Sequence, residues 1–511
     1  MSSLRWPSLR LRPRTDPLQD WVGVVCWLLS RSVMTYVFVV QTSFVRADVL
    51  YYFTSIDHTS MTSPDDLAHA LVEYPVPVVW IMQMLRAVSG PSKDVYVFLF
   101  ALCLAVLDAL CSWMLWTRVS RLSSLLWMAF IFLIGPLAWF RIDLIPAVCV
   151  LIALRELERR PRIAGAAIAL GAATKLWPAL LIVPMLGLPI LCSRQGEGPG
   201  LPGNRAGLPG LPGNRAGLPG LPGNRAGLPG LPGNRAGLRR GAGFLAFGLA
   251  AGLSSLVTEG LTRSASPLTW QSGRGLQVES IWATPVMLAR LGQSGDQWEV
   301  RLSRYNAYEI FGPHVEALTG LASAAMVALI ALVAVLGWLI VLGGVGLPRH
   351  SLRMAGAERR RRDRTLAITL STLAIVAGVI VANKTFSPQY MIWLAGPFAV
   401  LIATQLRSKD RHHAAVMLVL GLVAAALTQL EFPLNYAALV RPHDPGIGVT
   451  LILAIRNGLM VVLAVYSSVL AVRAAWRVGR QPAPMAAEPL VPALVAEAQS
   501  GALSPAETVR A

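Results

Sequence analysis

The chain has 511 residues, of which 54% are hydrophobic and only 14% charged, with a net charge of +18. Soluble domains carry about 25% charged residues, so a compact water-soluble fold of this length is excluded. The excess positive charge is divided among loops rather than gathered on one face, which argues against nucleic acid as a partner.

The apolar residues come in long blocks. A block of about 20 crosses the hydrocarbon core as a helix, which satisfies its own backbone hydrogen bonds where lipid cannot. The sequence therefore predicts an all-α, polytopic transmembrane bundle of about twelve spans. In chain order these are Val22–Thr42, Val95–Thr117, Ser123–Phe140, Leu144–Glu156, Ile163–Thr174, Leu176–Cys192, Gly241–Val257, Ala317–Val345, Leu366–Ala382, Gln389–Gln405, Ala414–Leu430 and Val449–Val472. Val76–Val88 is apolar but short, and is expected to lie along the membrane surface.

Arginine clusters at 5–14, 155–162, 194–240, 349–364, 407–413 and 473–480 alternate with balanced or acidic loops. By the positive-inside rule this puts both termini in the cytoplasm. The expected organisation is a cytoplasmic segment 1–20, a first core part 21–193 with an outer loop 43–94, a cytoplasmic loop 194–240, a second core part 241–475 with an outer loop 259–316, and a disordered tail 476–511. The repeat LPGNRAGLPG at 201–240 breaks the every-third-glycine rule of collagen and reads as a flexible, neutral expansion of a cytoplasmic loop, with a basic tether to anionic lipid head groups as the alternative. The five cysteines, Cys26, Cys103, Cys111, Cys149 and Cys192, fall in or beside apolar blocks. They read as small core residues, and neither a disulfide framework, a metal site nor a cofactor is expected.

Charged residues at the outer ends of spans are functional candidates, because charge at membrane depth is costly. They are Asp48 and Glu73 in the first outer loop, Arg141 and Asp143 in WFRIDLIPA, Lys175 in GAATKLWPAL, Arg274 and Glu279 in GRGLQVESIWA, and Lys384 in ANKTFSPQYMIW. Cations here could hold a lipid-linked phosphate, and a carboxylate could take a proton from a hydroxyl. Simpler readings stand beside these. Arg141 and Asp143 could pair with each other, Lys175 could snorkel to the interface, and Tyr51, Tyr52, Tyr74, Trp177, Trp270 and Trp393 could form an aromatic belt. A secondary transporter or lipid flippase fits many spans and a polar cavity equally well, but its paired broken repeats are not evident.

The stretches EYPVP (73–77), RIDLIPA (141–147), ATKLWP (173–178), GRGLQVES (273–280), SPQYMIW (387–393) and AIRNGL (454–459), in this order, resemble glycosyltransferase family 87. The resemblance implies a GT-C-type membrane enzyme. Its donor would be a polyprenyl-phosphate-linked sugar, mannose in several members, and its acceptor an envelope glycolipid or glycan in an actinobacterium. It further implies a catalytic acid in the first outer loop, matched best by Asp48 with Asp57 as runner-up. Substrate-binding positions would then be Glu73, Tyr74, Arg141, Asp143, Lys175, Arg274, Gln277, Glu279, Lys384, Gln389 and Tyr390, with no metal required.

Overall fold

A computed structural model of the chain describes residues 17–57, 70–186, 235–292, 297–342, 354–404, 408–442 and 445–479. The N-terminal segment to residue 16, the Gly/Pro repeat as far as residue 234 and the tail from residue 480 lie outside the described residues.

The described chain is a helical bundle. Eight of its helices are long and apolar enough to cross a membrane: Asp20–Val40, Lys93–Arg118, Arg121–Trp139, Ala236–Ser272, Val315–Val341, Arg361–Ala382, Asp410–Glu431 and Ile447–Gly479. The outer faces of several carry large exposed apolar side chains, among them Leu29, Val39, Leu253, Val327 and Val465, a surface that suits lipid rather than water. The protein is therefore a multi-pass membrane protein.

Three of the other four expected spans are shorter, and of the fourth, Leu176–Cys192, residues 187–192 lie outside the described residues. Leu144–Glu156 and Pro161–Thr174 have 13 and 14 residues. Trp177–Leu186 and Pro388–Ala403 each start as a 3-10 turn opened by proline and then become α-helical. Thirteen residues rise about 20 Å, well short of a hydrocarbon core of about 30 Å. Leu144–Glu156 and Pro388–Ala403 are largely buried inside the bundle, where neighbouring protein rather than water satisfies their ends. On one side the four end at Asp143, Lys175, Leu176 and Ser387, and the space left there is the cavity described below.

Two devices hold the longer helices. The first is close approach. Helix Pro161–Thr174 lies against helix Arg235–Ser272 so tightly that a Cβ on Gly165 would sit 1.8 Å from the Arg240 carbonyl oxygen, and one on Gly243 2.0 Å from that of Arg162. Small residues allow such backbone contact where the hydrophobic effect cannot drive association. The second is charge pairing. Arg31 of the first span is 3% exposed and makes a two-pronged ion pair with Asp108, which is fully buried, at 2.9 Å for each prong. Trp127 Nε1 donates to the same carboxylate at 2.8 Å, and Arg31 Nη1 donates to the Met128 carbonyl at 2.8 Å.

Helix Arg235–Ser272 runs past the expected start of the outer loop at 259. It bends at Gly260, whose φ of 72° suits a residue without a Cβ. The loop then forms a small antiparallel sheet of β1 (Leu276–Gln277), β2 (Glu299–Leu302) and β3 (Tyr308–Phe311), in the order β1-β3-β2. Leu276 lies opposite Ile310, and Arg301 opposite Glu309. Helix Val76–Ser89, expected at the surface, packs between Ala47–Asp57, Lys93–Arg118 and Arg235–Ser272.

Gly165→Ala is expected to destabilise the protein by about 1–3 kcal/mol, the usual range for overpacking, seen as a lower melting temperature in detergent. An unchanged melting temperature would mean that the two helices do not meet backbone to backbone.

Candidate functional site

A cavity of about 410 Å3 opens at the end of the bundle that carries the small sheet, within the size range of ligand sites. Of the residues singled out in the sequence, Asp48, Glu73, Tyr74, Arg141, Lys175, Arg274, Gln277, Glu279, Gln389 and Tyr390 line it. They reach it from stretches separated by hundreds of residues. Asp143 and Lys384 do not line it: Asp143 contacts the lining Lys175, and the Lys384 backbone carbonyl accepts from Gln277 N. The runner-up acid Asp57 closes helix Ala47–Asp57, and its side chain lies outside the described residues.

Asp48 sits in the first turn of helix Ala47–Asp57. Its Oδ2 lies 2.9 Å from Arg141 Nε. Arg141 Nη1 donates to the carbonyls of Val45 and Phe140 at 3.0 and 2.9 Å, so the guanidinium is fixed and Asp48 is held over the cavity. The expected alternative, an Arg141–Asp143 pair, does not form. Asp143 instead binds Lys175 Nζ at 2.6 Å and accepts from Trp393 Nε1 at 2.8 Å. Lys175 also lies 4.6 Å from the Tyr390 ring centre and 5.3 Å from that of Trp393. These rings and Trp177 stack in series, so the aromatics of ATKLWP and SPQYMIW build a cage for Lys175 and the lysine does not snorkel into solvent.

Arg274 is different. It lies between Gly273 and Gly275, which the ends of two side chains approach closely. A Cβ at Gly273 would meet the Tyr305 hydroxyl at 2.7 Å, and one at Gly275 would meet Glu309 Oε2 at 2.7 Å. Tyr305 donates to the Gly273 carbonyl at 2.7 Å, and Gly275 N donates to Glu309 Oε1 at 3.1 Å. The backbone is thus clamped while the arginine side chain lines the cavity. Arg274 makes no ion pair within 4.0 Å among the described residues, unlike Arg141 and Lys175. Lys384 is drawn aside, donating to the Ser272 carbonyl at 3.1 Å.

Glu279 lies in the turn after β1 and is 2% exposed. Tyr436 donates to its Oε1 at 2.6 Å, while Oε2 has no hydrogen-bond partner. Its backbone carbonyl accepts from Arg456 Nη2 at 3.1 Å and Asn457 Nδ2 at 3.3 Å. The AIRNGL stretch therefore holds the GLQVES stretch in place. Behind it Arg456 and Glu431, both fully buried, pair at 2.8 Å. Burial pushes the Glu279 carboxyl up to about 7 against the hydrogen bond from Tyr436. Burial also raises Glu73, which neighbouring Tyr51, Arg274 and Arg263 partly oppose.

The β2–β3 hairpin was not foreseen in the sequence. Its tip brings Tyr305, Asn306 and Ala307 to the cavity, with Asn306 at φ 53° in the turn, a conformation Asn tolerates. Tyr51, Tyr52 and Trp270, which the sequence also allowed as belt residues, line the cavity together with Tyr308, Phe432 and Tyr436. Only the Asn306 turn carries a local sequence signal. No group of three or more metal-ligating side chains occurs among the described residues.

The fold and site define a multi-pass membrane protein with a polar, aromatic-lined cavity at one end of its bundle. Residues 72–196 match the family model of glycosyltransferase family 87, which implies a membrane glycosyltransferase. The matched segment contains Glu73, Tyr74, Arg141, Asp143 and Lys175. No curated protein and no solved structure matches the chain.

A carboxyl raised on folding contributes stability that is complete below its ordinary value near 4.5 and is lost as pH rises through its folded value, here about 7. Glu279→Gln is expected to flatten thermal stability across that window and to stabilise the protein relative to wild type at pH 8. An unaltered pH slope in melting curves would place the ionisation elsewhere.

Proposed function

We propose that the protein transfers a sugar, mannose by resemblance, from a polyprenyl-phosphate donor to an envelope glycolipid or glycan acceptor at the extracytoplasmic face of the plasma membrane. The observation that carries this reading is one cavity holding an ion-paired carboxylate, Asp48, together with an arginine, Arg274, that has no ion-pair partner among the described residues. A sugar phosphodiester needs a cation where its phosphate becomes a dianion, and an acceptor hydroxyl needs a base.

In the proposed reaction Asp48 takes the acceptor proton, and the acceptor oxygen bonds to the anomeric carbon. The bond from that carbon to the phosphate oxygen breaks, its electron pair leaves with polyprenyl phosphate, and the sugar is inverted. Arg274 receives the phosphate, with caged Lys175 beside it. Fixed cations stabilise developing charge without reorganising. Glu73, Tyr74, Gln277, Glu279, Gln389 and Tyr390 offer hydrogen bonds and ring faces to the sugars, and Asp143 and Arg141 hold Lys175 and Asp48 in position. The basic residues Arg118, Arg159, Arg361, Arg362 and Arg473 fall at the opposite end of the bundle, which supports cytoplasmic termini.

Membranes expressing wild type should move radiolabelled mannose from polyprenyl-phosphate-mannose into a glycolipid or glycan. Asp48→Asn should lower the rate by about 10²–10⁴-fold, the share of a general base, and full activity in that variant would remove Asp48 from the mechanism. Arg274→Gln should raise KM for the donor by about tenfold, equivalent to losing one charged hydrogen bond, with less effect on KM for the acceptor. Uptake or flipping of lipid-linked sugar in proteoliposomes without any transfer product would favour a transporter instead.

A further inference from the structure

A second cavity, of about 380 Å3, lies at the other end of the bundle. Helix Lys93–Arg118 begins beside the first site, where Tyr96 packs on Phe53, and runs about 39 Å at 1.5 Å per residue to reach it. Five arginines line it from three separate stretches: Arg118 at that helix end, Arg155 and Arg159 around the end of helix Leu144–Glu156, and Arg361 and Arg362 in helix Met354–Ala382.

Topology alone needs arginines only in the water beyond the membrane. It does not need them to converge on one concavity, where like charges repel. The compensation present is incomplete. Glu158, the carboxylate in the lining, is shared between Arg240 at 3.2 Å and Arg361 at 3.7 Å. Arg155 pairs with Glu156. Arg159 and Arg362 make no ion pair among the described residues. Helix C-termini near Arg118, Glu156 and Ala403 supply about half a negative charge each, which falls short of the arginine excess. The inner wall is apolar, with Leu154, Leu157, Val400 and Ala403, and Thr365 and Thr404 add hydroxyls.

We infer that this cavity binds an anionic phospholipid, its phosphate on Arg159 and Arg362 and its hydrocarbon along the half-exposed Val119 and Ala403. Guanidinium groups match phosphate oxygens two by two, and the apolar wall accounts for a phosphate that comes attached to acyl chains. Basic pockets between helix ends are suited to such head groups. The ligand would tie helix Leu144–Glu156 to helix Met354–Ala382, whose other ends lead into Asp143 and Lys384 beside the first cavity. The inference does not depend on the proposed transfer reaction.

The test is native mass spectrometry of the full chain released from nanodiscs of mixed phosphatidylglycerol and phosphatidylcholine, alongside melting temperatures in detergent. Wild type is expected to retain phosphatidylglycerol over phosphatidylcholine and to melt higher when it is added. Arg159→Gln with Arg362→Gln should weaken retention by about tenfold or more, a loss of at least 1.4 kcal/mol, while the lipid-free melting temperature stays unchanged. Replacing both by lysine should restore part of the retention, since charge returns without the forked geometry. Arg473→Gln with Arg477→Gln, at the same end but outside the cavity, should retain lipid as wild type does. Retention equal for both lipids, or insensitive to the Arg159 and Arg362 changes, would overturn the inference. Inorganic phosphate raising the melting temperature as much as phosphatidylglycerol would overturn the lipid in favour of a free anion.

Discussion

A charge that folds to membrane depth must find its opposite there, and this constraint organises the protein. The desolvation penalty is several kcal/mol per ion, and removing one partner of a buried pair costs about 3–5 kcal/mol. Arg31 with Asp108 ties the first span to the second. Arg456 with Glu431 ties the last span to the one before it. Arg141 with Asp48 and Lys175 with Asp143 obey the same rule at the cavity wall. Against that background Arg274 stands out, because its positive charge faces the cavity with no carboxylate among the described residues in ion-pair contact. An anionic ligand would complete the pattern.

The same pairs explain why the cavity keeps its shape. Its walls are short helices and turns that could not hold position alone. Each is fixed by a contact from a distant stretch: Asp143 by Trp393, Gln277 by Ser387 at 3.2 Å, and Glu279 and Ser280 by Asn457. The stretches that resemble glycosyltransferase family 87 are thus mutual supports as well as candidate contacts for substrate. Their order along the chain reflects a single assembly in space.

The two ends of the bundle differ in kind. One is rich in aromatic rings, with carboxylates interleaved among cations, as suits a sugar and a phosphate held in one place. The other is an arginine-lined hollow with an apolar inner wall. Helices that reach from one to the other, such as Lys93–Arg118 and Met354–Ala382, join a polar cavity at each end of the bundle through apolar stretches.

Hydropathy alone determined that the chain crosses a membrane as helices, because transfer into lipid is a sum over neighbouring residues and can be read locally. Composition and short motifs also placed Asp48, Arg141, Lys175, Arg274 and Glu279 among the candidates, since charge at span ends is rare. Which charges pair was not legible. Arg141 stands two residues from Asp143 yet binds Asp48, and Lys175 binds Asp143 from 32 positions away, because side-chain direction and helix packing, not sequence distance, set the ion pairs. The Arg31–Asp108 clamp was hidden for the same reason, as was the hairpin that carries Tyr305. Leu144–Glu156, Pro161–Thr174 and Pro388–Ala403 could be recognised as short and apolar from sequence, but only the tertiary structure sets them among longer neighbours. A helix too short for the hydrocarbon core is stable where longer neighbours cover it, and its shortness leaves the space in which the site is built.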